Sequence, residues 1–165
     1  MSAGARWTAW LPALAIAVLA GCASPPRTAQ VEPAAGPWSG RLALQVKDNP
    51  SQSFSAAFEL RGNAQAGELS LSTPIGSTFA VLAWTPGLAT LRRNGQTEQF
   101  ASVEDLAARA TGSAIPLAAL FDWLRGIDTP VPGWRADLSQ LGQGRLVALR
   151  LEPLPETDLR VIFER

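Results

Sequence analysis

The sequence predicts a mainly β, α+β domain: a curved antiparallel sheet with two short helices lying against its concave apolar face. Three observations carry that expectation. Beyond Pro37 apolar and polar residues alternate with a period of two over several runs, the mark of strands with one buried face. Turn-forming residues separate these runs at short intervals, as hairpin-connected neighbours require. Two segments in the second half carry helix-start signals and helical spacing instead, and a sheet with one greasy face needs such elements to cover it.

The first strand runs from Trp38 to Val46, where Leu42, Leu44 and Val46 alternate with Arg41, Gln45 and Lys47. Asp48-Asn49-Pro50 turns the chain into a second, in which Phe54, Ala56, Phe58 and Leu60 alternate with Ser55, Glu59 and Arg61. Gly62-Asn63 leads to a third, with Leu69 and Leu71 set among Glu68, Ser70 and Ser72. The run Phe79 to Trp84 is apolar at every position and reads as a strand covered on both faces. Leu88 to Arg93 and Gln96 to Phe100 flank Asn94-Gly95, a pair suited to a type I′ hairpin turn. Ser102, three residues before Asp105, is an N-cap for a helix carrying Leu106 and Ala110 and stopping near Gly112. Pro116 opens a second helix with Leu117, Leu120, Phe121 and Leu124 on one side, Trp123 flanking that stripe and Gly126 ending it. Strands resume at Trp134 to Leu138, Arg145 to Leu151 and Leu159 to Phe163.

The N-terminus belongs to a different regime. Arg6 and the free amine precede an apolar stretch from Ala9 to Ala20, roughly a dozen residues, against about 20 for a membrane-spanning helix. That is signal-peptide length. The stretch ends Leu19-Ala20-Gly21-Cys22, a lipobox whose Cys22 thiol is the expected nucleophile for a diacylglyceryl group. Residues 1–21 are therefore expected to be a lipoprotein signal peptide. Residues 22–37, rich in Ser, Pro, Ala, Thr and Gly, read as a lipidated flexible tether, and 38–165 as the folded domain. One CH₂ buried in a bilayer is worth about 0.8 kcal/mol, so two or three acyl chains anchor a protein stably. Ala, not Asp, follows Cys22; in lipoproteins similar to this one that implies delivery to the outer membrane.

Composition excludes several function classes. Fourteen Lys and Arg balance fourteen Asp and Glu, so no net field draws nucleic-acid phosphates, and nucleic acid is not an expected partner. Histidine is absent and Cys22 is the sole cysteine, which removes the commonest general base, the commonest metal ligand and any internal disulfide. There is no G-x-S-x-G elbow, phosphate loop or paired-cysteine spacing. The carboxylates stand at polar strand positions or helix starts, where solvation and the helix dipole account for them. No enzyme, metal or cofactor is expected.

Two features remain. Trp38, Trp84, Trp123 and Trp134 lie in the domain, which is 47% hydrophobic and 17% charged over the whole chain. Either a filled core or the walls of an apolar cavity accounts for them. Between two strands, Pro74 and Gly76 make a tight turn in Thr73-Pro74-Ile75-Gly76-Ser77-Thr78 and set Ile75 at its tip. Ile75 either packs back on the domain or projects as a contact for a membrane or partner.

That turn, with Thr111-Gly112 followed by Ile115-Pro116-Leu117 and with Leu120 to Trp123-Leu124-Arg125-Gly126, resembles the outer-membrane lipoprotein receptor family LolB. Lipobox, first strand, loop and helices stand in that family's order, over most of the chain beyond Cys22. The resemblance implies a half-open, incomplete β-barrel whose apolar cavity shelters acyl chains beneath the helices. It further implies an outer-membrane receptor, anchored by its own acyl chains and facing the periplasm. Such a receptor takes acylated lipoprotein cargo from a LolA-type periplasmic carrier and inserts it into the outer membrane. The family's projecting loop carries an aliphatic residue needed for insertion; Ile75, between Pro74 and Gly76, stands where leucine is usual. Candidate cavity residues are Trp38, Leu42, Leu44, Phe58, Leu69, Leu71, Val81, Trp84, Leu120, Trp123, Leu124 and Trp134. A monomer is expected. The chain departs from the family between Gly126 and Trp134, where a Pro-rich link replaces a further hairpin, so a shorter or more open sheet is expected. The alternative is a structural or assembly lipoprotein whose sheet docks a protein partner over a solid interior.

Overall fold

A computed structural model of the chain describes residues 36–111 and 115–164. The expected signal peptide, Cys22, the tether up to residue 35 and the helix stop at Gly112 lie outside the described residues, which all belong to one compact unit.

Among the described residues nine strands form one sheet: β1 (Trp38–Val46), β2 (Phe54–Gly62), β3 (Gly67–Ser72), β4 (Thr78–Thr85), β5 (Leu88–Arg93), β6 (Gln96–Phe100), β7 (Trp134–Asp137), β8 (Arg145–Arg150) and β9 (Thr157–Glu164). Their order is β6-β5-β4-β3-β2-β1-β9-β8-β7, antiparallel throughout. The first six form a meander. The last three return to the free side of β1, where Ser39 to Val46 run opposite Glu164 to Thr157. The outermost strands β6 and β7 do not pair with one another, so the barrel is incomplete.

Alternation dictates which side is inside. Leu44 and Val46 of β1, Ala56, Phe58 and Leu60 of β2, Leu69 and Leu71 of β3, and Leu159, Val161 and Phe163 of β9 are buried in phase. β4 obeys the same period although its sequence does not show it. Ala80, Leu82 and Trp84 are buried, Val81 and Ala83 are half-buried, and Phe79 is exposed. The expectation that both faces of this strand are covered is thus corrected: the helices cover one side, and Val81 stands on the other. Its register partners there are Ser70 and Arg92, polar neighbours of a half-open surface.

Two helices fill the concave side, α1 (Val103–Thr111) and α2 (Leu117–Arg125). The Ser102 hydroxyl accepts a hydrogen bond from the Asp105 amide at 3.1 Å, the expected N-cap. Pro116 is one residue earlier than expected, at the N-cap of α2, and Gly126 ends the helix with φ 89° while its amide donates to the Trp123 carbonyl at 3.0 Å. This is a left-handed C-cap that suits glycine. Leu117, Ala119, Leu120, Phe121, Trp123 and Leu124 are all buried, so α2 is an interior helix and not merely a cover. Burying each large side chain stabilises the fold by roughly 1.5–3 kcal/mol.

The link from α2 to β7 contains no strand, in agreement with a hairpin being absent there. It is fastened to the C-terminal turn of α2 by two hydrogen bonds. Trp123 Nε1 donates to the Thr129 carbonyl at 3.0 Å, and the Thr129 hydroxyl donates to Asp122 at 2.7 Å.

Candidate functional site

The concave face and α2 enclose an apolar space. Its walls are Leu42, Phe54, Phe58, Leu60, Leu69, Leu71 and Leu82 from the first four strands, Leu159 and Val161 from β9, and Ile115, Leu117, Leu120 and Leu124 from the helical side. No polar or titratable side chain is among them. The space is narrow, about 40 Å³, room for no more than a few water molecules. It is a seam between α2 and the sheet, too narrow in this conformation for an acyl chain.

The sequence-predicted cavity residues divide in two. Leu42, Phe58, Leu69, Leu71, Leu120 and Leu124 come together around the space. Leu44, Val81 and the four tryptophans do not line it. Leu44 is fully buried elsewhere in the core and Val81 belongs to the opposite face of the sheet. Trp38 and Trp84 both meet the Phe121 ring edge-on, with centroids 5.6 and 6.1 Å away. Trp123 lies 6.3 Å from Trp134, which is half-buried at the outermost strand. The indole N–H groups explain the placement, because each buried one needs an acceptor. Trp84 Nε1 donates to the Asn63 carbonyl at 3.0 Å and Trp123 to Thr129, so both indoles are held at backbone turns, away from the dry centre. Trp38, Trp84 and Trp123 are core, and Trp134 packs against its edge.

Sequence reasoning missed Phe54, Leu60, Leu82, Ile115, Leu117, Leu159 and Val161. For some of them the signal was present: Phe54 and Leu60 are in phase with Phe58, Leu82 with Trp84, and Leu117 lies on the helical stripe, whereas Leu159 and Val161 join this face only through the pairing of β9 with β1. Side-chain size is no guide here, because plain aliphatic residues border the space while the larger indoles fill the core beside it.

The second feature is the β3–β4 turn. The Gly76 amide donates to the Thr73 carbonyl at 2.9 Å, and Thr73 and Ser77 close the loop with another 2.9 Å bond. Gly76 has φ 89°, the left-handed residue that a three-residue hairpin loop of this kind requires. Pro74 fixes the approach, and Ile75 at the tip is 90% exposed. Ile75 therefore projects from the turn and does not pack back on the domain.

A sequence profile described as "Outer membrane lipoprotein LolB" matches residues 37–153, well over half of the chain. The chain belongs to the LolB family. Among its relatives, the outer-membrane lipoprotein LolB of Bordetella petrii is 35% identical over 175 residues, covering 90% of this chain and 87% of that protein. That of Bordetella pertussis is 38% identical over 130 residues, covering 71% and 63%, and that of Chromobacterium violaceum 33% over 122 residues, covering 70% and 65%. Against the latter two LolB proteins the chain spans a little under two thirds of the relative's length. LolB proteins are outer-membrane lipoproteins by name, and no helix among the described residues is long and apolar enough to cross a membrane.

Proposed function

We propose that this chain is an outer-membrane lipoprotein receptor. It accepts acylated lipoproteins from a LolA-type periplasmic carrier into the apolar seam between α2 and the sheet, and releases them into the membrane on which its own Cys22 lipid anchors it. It acts as a monomer. The observation that carries this reading is the seam itself: thirteen apolar side chains and no polar one, in a chain of the LolB family. A triacylated cargo has on the order of 40 chain carbons, and leaving them in water costs roughly 30 kcal/mol. Crossing an aqueous compartment therefore requires a greasy host.

Loading must widen the seam. The sheet has its ladders on either side to hold it, whereas α2 is joined to its surroundings by side-chain packing and by the hydrogen-bonded link after Gly126. Displacing α2 is the less costly opening. The exchange needs no bond chemistry and runs downhill, from carrier to receptor to bilayer. Ile75, flanked by Pro74 and Gly76, contacts the bilayer in the last step.

The test is a transfer assay with the purified protein, a cargo-loaded carrier and outer-membrane vesicles, paired with uptake of a fluorescent acyl probe. Probe uptake at low micromolar concentration, competed by acylated cargo, and cargo appearing in vesicles are the expected results. A protein that takes up neither probe nor cargo is not a receptor, and the docking alternative would replace this reading.

A further inference from the structure

We infer that the β8–β9 loop is a second bilayer contact, with Leu154 inserting into lipid alongside the Ile75 turn. The inference rests on the proposed membrane role of Ile75. Strand pairing fixes the geometry: β3 ends and β4 begins at the same end of the sheet where β8 ends and β9 begins, since Leu44 of β1 is level with Phe54 and Leu159, and Arg150 is opposite Thr157. Both connections therefore emerge from one rim. Leu154 is 77% exposed, second only to Ile75 among the large exposed apolar residues described. Leu151 is exposed in the same loop, and Leu149 faces outward on the strand that leads into it. An aliphatic tip held in water is disfavoured on a monomer's surface unless something covers it.

The loop's backbone points to lipid as that cover. Its sequence is Leu151-Glu152-Pro153-Leu154-Pro155-Glu156, and two prolines flank the tip. Proline has no N–H, and an unsatisfied N–H is what makes an irregular loop costly at a membrane. Two of the loop's remaining amides, Leu151 and Glu152, already donate to the Gly133 carbonyl at 2.8 and 3.4 Å. The Arg150 guanidinium, buried beneath, donates to the Pro155 carbonyl at 3.0 Å. At the base Lys47 pairs with Glu156 at 3.0 Å, so with Glu152 the loop offers no excess of cations to anionic headgroups. Burial of Leu154, not charge, must hold it.

The experiment uses the full lipidated protein in phosphatidylethanolamine/phosphatidylglycerol vesicles, with an environment-sensitive dye on a cysteine introduced by Leu154→Cys, Ile75→Cys or Gln143→Cys. Gln143 is exposed at the opposite end of the strands, beside the start of β8. Lipid-borne nitroxide should quench the dye at 154 and 75 and leave it unchanged at 143, at low and high salt alike, without carrier present. Quenching at 75 alone overturns the inference and leaves the Ile75 reading intact. Quenching at neither position removes both. A response at 154 that requires added carrier makes the loop a protein contact and also overturns the inference. As a second measurement, Leu154→Glu should slow delivery into vesicles about tenfold with probe uptake and melting temperature unchanged; delivery at the parent rate counts against it.

Discussion

In the proposed mechanism, Ile75 concentrates the membrane contact in one side chain. Its turn is built from local hydrogen bonds that do not involve the isoleucine, so the tip can change chemistry without changing the fold. Ile75→Glu should leave acyl-probe uptake and melting temperature at parent levels and reduce delivery into liposomes at least tenfold, since an apolar contact worth a few kcal/mol is replaced by a charge that resists dehydration. Ile75→Leu should deliver normally. Equal delivery by the glutamate variant would take the turn out of the mechanism. Gly67 makes the opposite case, a residue whose role is to be absent. A methyl placed on it would lie 2.6 Å from the Trp84 ring and 2.5 Å from the Arg61 carbonyl. Gly67→Ala should therefore cost about 1–3 kcal/mol, read as a lower denaturation midpoint with the slope unchanged.

At the scale of elements, α2 is the piece that the proposed loading step holds and releases, and its C-terminal fastening is titratable. Asp122 accepts from Thr129 and from Arg125, the latter at 2.5 Å. The Thr129 hydrogen bond first, and then Arg125, hold its carboxyl below the ordinary carboxylate value. A depressed folded-state pKa stabilises above the unfolded value and loses that contribution as pH falls through the folded one. Asp122→Asn should therefore melt below the parent at neutral pH, and the gap should close as pH drops from about 4 downward. A gap independent of pH would mean that shape, not charge, fastens the link. The elements themselves were largely legible in the sequence, and the reason is physical. β1, β2 and β3 bury one face against apolar partners and wet the other, so pattern and structure coincide. β4 was legible as a strand but its faces were not, because Phe79, Val81 and Ala83 are apolar without being enclosed, and composition cannot distinguish a covered position from a half-open one. The seam was legible as a face but not as a set of residues. Which inward side chains border empty space depends on where α2 comes to rest, and nothing local in the strands encodes that.

For the whole molecule, the seam poses a problem of volume. About 40 Å³ has room for only a few water molecules, so in the proposed receptor affinity for acyl chains must include the work of separating α2 from the sheet. That work links stability and binding with opposite signs. Leu124 is buried and borders the seam. Leu124→Ala should destabilise the fold by about 2–5 kcal/mol, the range for a buried leucine whose site does not collapse. The same truncation enlarges the seam in advance, so less packing is lost when an acyl chain is accommodated, and the probe should bind more tightly. A truncation outside the seam makes the control. Leu146 is as deeply buried but is not part of the lining, so Leu146→Ala should lower stability without raising affinity. Urea denaturation and probe titration on the two variants separate the cases. If both variants lost stability and neither gained affinity, the interior would be a core and nothing more, and the surface of the sheet would have to carry the function.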